Sequence, residues 1–222
     1  MAFDYKLKKF TEIGELSPAA AHGYWRTMFS PVELRSVLRK DVFAELSTHT
    51  SLYERTFDGL NEDMDRPSII GLLKADMLAW LQPMLPWADN MSMAHSVELR
   101  FPLLDHRLLE FAYSLSERHV FRGWSLKRIM RRMLKSRLPR EVLSRGKRGT
   151  HLPIGRWLNA DLAPVADEYL SPQRLRDQRL FDQGTVKQLV ADHRSGRRDN
   201  TFKLWNLIVF SAWLEHNQIV TI

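Results

Sequence analysis

Cysteine is absent from the 222 residues, which excludes disulfides, thiolate metal ligands and a thiol nucleophile. No apolar run approaches the roughly 20 residues that cross a bilayer as a helix. Residues 1–10 carry charge with no apolar stretch behind them, unlike a secretory leader. No H-x-x-x-H or H-E-x-x-H spacing occurs, so a protein-built zinc site is not expected. Alternating apolar runs are missing too, apart from the short pairs Val120-Phe121 and Ile219-Val220, and there is no internal repeat. Together these absences predict a cytoplasmic, sheet-poor chain that binds no membrane.

What is present is apolar material at helical spacing. With 44% hydrophobic residues the chain can fill one core and a smaller satellite. The period predicts helices over 17–29, 31–38, 42–47, 66–82, 89–99, 105–115, 125–135, 139–143, 158–169, 182–193 and 201–216. Ile70, Leu73, Met77, Trp80 and Leu81 make a stripe on the fourth. Leu204, Trp205, Ile208, Val209, Ala212 and Trp213 do so on the last, and this spacing assigns the tryptophans to packing. Arg194 to Asp199 reads as a polar turn.

Lysine and arginine outnumber aspartate and glutamate by 33 to 26, concentrated at 118–148 and 174–198. No aromatic platform interleaves with the basic residues between 125 and 137. A solvated helix face favourable to anions is therefore expected, not a nucleic-acid surface.

The segment 89–105 places Asp89, His95, Glu98, Arg100 and Asp105 among Met91, Met93, Val97, Leu99, Phe101, Leu103 and Leu104. This mixture predicts burial, and buried charges need partners. Pro102 should end one helix near Arg100, and Asp105 should cap the next. His95 and Glu98 then share a helix face with Met91. A cap and a Glu98–Arg100 ion pair explain these residues singly; a buried cluster of them is a candidate active site.

The same segment resembles the D-R-x-S-M-A-x-S-x-E-x-R-x-P-F-L-D signature of the asparagine synthetase family, ATP-dependent amidotransferases that work through an acyl-adenylate. Asp89, Ser92, Met93, Ala94, Ser96, Glu98, Arg100, Pro102, Leu104 and Asp105 fall on it, while Asn90 and Leu103 depart from it. Lys127 to Arg131 resembles the family's K-x-x-L-R, Pro139 to Gly149 its P-x-x-I-x-x-R-x-K-x-G-F loop, and Pro153 to Leu158 its P-x-x-x-W-L. Thr150 stands where the family has Phe. The family's phosphate-cradling loops, S-G-G-x-D-S and S-G-E-G-x-D-E, do not occur in these residues.

The resemblance implies a mainly all-α fold: the helical C-terminal lobe of an asparagine-synthetase-type ATP-pyrophosphatase (α/β) domain, with the nucleotide-binding parallel sheet missing. Residues 1–65 would be a variable helical lead-in and 66–222 the signature-bearing core. It also implies a two-step reaction, carboxylate adenylation followed by ammonia attack. Lys147, between Gly146 and Gly149, would stabilise the charge that builds on oxygen, and Glu98 would handle ammonia's protons. Asp89, Ser92, Arg100 and Asp105 would contact substrate or support those residues. ATP with Mg²⁺ would serve the completed enzyme, with neither bound by this chain alone. Partners would be the N-terminal half of the synthetase domain, a glutaminase domain or subunit, and a small carboxylate such as aspartate. The other readings are a non-catalytic helical interaction module derived from the family and an unrelated basic nucleic-acid binder.

Overall fold

Helices carry the architecture, as the 3.6-residue spacing predicts. The computed structural model describes residues 9–46, 52–60, 63, 67–120, 127–146 and 152–219, and no strand occurs among them. One isolated antiparallel bridge pairs Leu38 with Phe181. Val120 ends a short helix, Glu117–Val120, rather than starting a strand. Ile219 follows the last helix without joining a strand, and Phe121 and Val220 lie outside the described residues. The chain divides into two compact units.

Residues 16–22 and 51–149 form one unit. Its core is small: Phe57, Ala19 and Ala75 are fully buried and Ala79 nearly so. The helix Ile69–Asp76 buries Gly71 and Ala75, and Ala79 continues that line one turn later. The stripe expected from Leu73 and Trp80 is thus not the buried one; both are exposed, at 39% and 38%. Small residues at four-residue steps let Phe57 approach the helix backbone, and burying them turns the larger side chains outward.

This helix also runs past the expected end at Gln82. Residues Met77–Leu81 form a π turn, in which the Gln82 N–H reaches back to the Met77 carbonyl, and Gln82–Met93 follows directly. Pro83 explains the wide turn: it has no N–H to give Ala79, and its ring would crowd that carbonyl in a regular α-helix. Pro86 lies inside the following helix.

Residues 1–15, 23–50 and 150–222 form the other unit, built around the helix Thr201–His216. Leu204, Leu207, Ile208, Ser211 and Leu214 are its buried stripe, of which Leu204, Leu207 and Ile208 belong to one core with Leu158, Phe181 and Val186. Trp205 packs against this core as expected, whereas Val209 and Trp213 are about half exposed. Apolar residues occur on nearly every side of this helix, so period alone does not choose the buried side. Trp213 instead stacks on Phe210, 5.9 Å between ring centroids, and Phe210 meets Phe181 edge-on at 6.1 Å.

Local start signals refine the helix boundaries in this unit. Ser30 caps Pro31–Val37 in a reciprocal capping box with Glu33. Ser171 caps Pro172–Gln178, a helix too short for its period to announce. The helix expected over 158–169 is two, Ile154–Leu158 and Ala163–Tyr169. The 17–29 prediction shortens to Pro18–Tyr24.

Behind the polar turn after Arg194, buried His193 ties three segments together. The Asn200 N–H donates to its Nδ1 at 3.4 Å, so Nε2 carries the proton and donates to the Gly155 carbonyl at 3.1 Å. Thr201 donates its hydroxyl to Asp199 at 2.6 Å, and Asn200 donates its amide to the Leu189 carbonyl at 2.9 Å. Glycine at 155 is a steric requirement, because an added Cβ would press into Thr201 Oγ1, which Asp199 holds in place. Gly155→Ala should therefore cost about 1–3 kcal/mol in urea unfolding, as overpacking does. Gly59→Ala, with nothing within 4 Å of the new methyl, should show no such steric penalty in the same measurement.

Candidate active site

The signature segment begins within the helix Gln82–Met93, none of whose residues is buried. Asp89 is exposed on it, and Ser92 Oγ donates to the Asp89 carbonyl at 3.0 Å. The helix expected to reach Leu99 stops at Met93 because Ser96 adopts the left-handed conformation, φ 56°. The Ser96 N–H then bonds the Met93 carbonyl at 2.9 Å and the Val97 N–H bonds the Ser92 carbonyl at 3.1 Å. That pairing is a Schellman motif, with serine where glycine is usual. His95 and Glu98 consequently do not share a helix face with Met91.

Burial is the second expectation the structure overturns. Met91, Val97 and Leu103 are 74%, 55% and 61% exposed, since the unit's own core lies along Gly71, Ala75 and Ala79. Glu98 and Arg100 form a 2.6 Å ion pair in solvent, their side chains 63% and 81% exposed. Such a pair contributes little stability. After Pro102–Leu104, a single 3₁₀ turn, Asp105 caps His106–Ser114 as expected, accepting the Arg107 N–H at 3.0 Å. Its two oxygens also take the Arg107 guanidinium, at 3.0 and 2.9 Å. The guanidinium, with the backbone bonds behind it, holds the Asp105 carboxyl below the usual range.

The structure thus joins Glu98 to Arg100 and Asp105 to Arg107. No hydrogen bond or ion pair ties Asp89 or Ser92 to either pair among the described residues. Lys147 lies outside the described residues, as do Arg148, Gly149 and Thr150. Neither do three His, Asp or Glu side chains among the described residues come together to hold a metal ion.

Buried charge occurs instead in the other unit, at residues not singled out from the sequence. Lys9 is 4% exposed and donates to the carbonyls of Tyr24, at 2.9 Å, and of Trp25 and Thr27. Burial pushes its pKa down, with Glu33 and Glu12 opposing. Tyr24 donates its hydroxyl to Glu12, and burial together with that carboxylate pushes its pKa up. Glu33 accepts from Lys203 at 2.7 Å and from the Ser30 N–H at 3.0 Å. The S-x-x-E spacing of Ser30 and Glu33 is the one signal that marks this network in the sequence.

The asparagine synthase family model matches residues 8–215. The glutamine-hydrolyzing asparagine synthetase 1 of Bacillus subtilis (strain 168) is 25% identical over 177 residues, 79% of this chain and 28% of that protein. A protein of Mycobacterium tuberculosis (strain ATCC 25618 / H37Rv), provisionally named a glutamine-hydrolyzing asparagine synthetase, is 30% identical over 197 residues, 86% of this chain and 29% of that protein. The chain spans under a third of the length of these curated relatives. No solved structure matches it.

Substitutions at two positions test the segment's geometry. Ser96→Gly removes the Cβ penalty of the left-handed position and should stabilise the fold by about 0.4–1 kcal/mol in urea titration; Ser96→Val should destabilise it. Asp105→Asn keeps a capping side chain but loses the charge interaction with Arg107. Because the folded pKa of Asp105 is depressed, the wild-type advantage should be full above about pH 4. It should shrink as pH falls further, through the folded value. Thermal melts of both proteins across pH 2–7 measure this.

Proposed function

The chain belongs to the asparagine synthase family, and we propose that it forms part of an ATP-dependent, amide-forming ligase of that family. The observation that carries this reading is the match over residues 8–215 together with the signature residues Asp89 to Asp105. The reaction would run as adenylation of a carboxylate, aspartate or a related acid, followed by attack of ammonia on the acyl carbon. Lys147 would stabilise negative charge on phosphate and acyl oxygens, a task suited to a compact ammonium on a flexible stem. Glu98, in solvent and paired with Arg100, would take up the protons of attacking ammonia.

These residues carry no Gly-rich phosphate loop, and the described residues gather no carboxylate set for Mg²⁺. ATP and its metal would be held by other polypeptide, the N-terminal half of the synthetase domain, with ammonia from a glutaminase domain or subunit. The outward apolar residues of the 69–93 helix, Leu78, Trp80, Met84, Trp87 and Met91, support a docking face for that half. An exposed apolar surface of this kind is the usual mark of a protein–protein contact.

Carboxylate-dependent ATP–pyrophosphate exchange tests the reading. Exchange is expected in the completed enzyme, and none above background from these 222 residues alone. In the completed enzyme Lys147→Ala should lower kcat and kcat/KM together, by about 2.7–4 kcal/mol of transition-state stabilisation. A rise in the KM for ATP alone would make Lys147 a phosphate anchor only. Glu98→Gln should leave the Tm nearly unchanged, because its ion pair is exposed, so a fall in amide formation would report on chemistry.

A further inference from the structure

The helix Arg128–Leu134 carries a stripe of charge at the spacing normally reserved for a core. Arg128, Arg131, Arg132 and Lys135 follow one another at steps of three, one and three residues, which places them on a single face. Together with Arg140 they line a cavity of about 790 Å³. Leu138 and Leu143 contribute apolar walls. A second hollow of about 150 Å³ shares Arg128 and Arg132 and adds Arg118 and His119. Among the described residues, no aspartate or glutamate lines either hollow.

Arg131 has a structural task. Its guanidinium donates to the carbonyls of Leu143 and Arg145, bracing the end of the helix Arg140–Ser144 against Arg128–Leu134. Arg118, Arg128, Arg132, Lys135 and Arg140 have no ion pair or side-chain hydrogen bond among the described residues. Like charges gathered around one braced hollow repel, and the field they make is complementary to an anion.

We propose that this groove docks an acidic, amphipathic helical segment of a partner protein. Arginine forks on the rim match carboxylates two oxygens at a time, and the Leu138 and Leu143 walls receive the apolar side chains between them. A small phosphate would leave those leucines unused. A single-stranded nucleic acid would need aromatic platforms, and among the described residues no aromatic side chain lines the groove. The proposal stands apart from amide formation and is tested without it.

The probe is a fluorescein-labelled 18-residue helical peptide with glutamates on one face and leucines beside them, titrated with the full chain and read by anisotropy. Saturable binding that weakens with added salt is expected. Arg128→Glu with Arg132→Glu should weaken it at least tenfold with circular dichroism unchanged. Leu138→Ser should weaken it at least threefold, a loss that charge attraction alone does not give. Tripolyphosphate and a 12-nucleotide single strand are the competitors. Displacement of the peptide by either at lower concentration than by unlabelled peptide overturns the assignment, as does a Leu138→Ser protein that binds like the wild type. Should the double variant lose its helical signal, Arg140→Glu on the facing helix is the substitute, with the same loss expected and undiminished binding overturning the proposal.

Discussion

A helix packed on one neighbour can bury a single stripe, and in the helix from Ile69 to Met93 the small residues take it. Gly71, Ala75 and Ala79 face inward, and Phe57 is fully buried in the cluster of Ala19, Ala75 and Ala79, with Leu60 and Leu72 packed against it. Everything else about the unit follows from that choice. Leu73, Leu78 and Trp80 turn outward. Beyond the π turn the helix reaches Met93 without burying a residue. Among the described residues, Phe57 and three alanines are a slight core for so many helices, and enclosing the apolar side chains left outside would add further stabilisation. On the proposed reading, the polypeptide that holds the nucleotide would supply the surface that covers them.

The backbone devices along this helix work together to present the signature. Pro83 forces the wide turn at Met77–Leu81, and Ser96 in the left-handed region ends the helix within one turn of Ser92. Pro102 then opens the short turn that delivers Asp105 to the next helix as its cap. Each device is local and specified by one residue. Glu98 and Arg100 thus occupy non-helical backbone fixed at both ends, where their side chains face solvent and not a neighbouring helix.

Local signals of this kind were legible in the sequence, and face assignments were not. Asp105 as a cap, the final helix from Thr201 to His216, and the polar turn after Arg194 all follow from residues adjacent in the chain. The stripe on 69–81 was misassigned because period finds the large apolar residues, whereas the structure buries the small ones beside them. On Thr201–His216 the apolar residues wrap the helix, so the choice between Trp213 and Leu214 rests on neighbours distant in sequence. The signature was recognisable as a motif, yet its predicted burial was wrong for the same reason: apolar composition says that a surface will be covered, not by which part of the protein. The Lys9, Glu33 and Lys203 network was hidden because its members lie up to 194 residues apart, and no spacing rule links them.

Charge in the two units has opposite standing. Lys9 is buried and saturated by carbonyls, so its charge is committed to holding the fold. Glu98 and Arg100 are in water, where an ion pair is worth roughly 0–1 kcal/mol. Two unit charges about 4 Å apart attract by about 1 kcal/mol in water but by about 4 kcal/mol at the effective dielectric of a protein surface, near 20. On the proposed reading, the polypeptide docked on the 69–93 helix would also cover the exposed Leu99, Phe101 and Leu103 and remove water from Glu98 and Arg100. The same docking step would then strengthen the attraction between Glu98 and Arg100, so that on this reading exposure of Glu98 in the isolated chain is compatible with chemistry there after assembly.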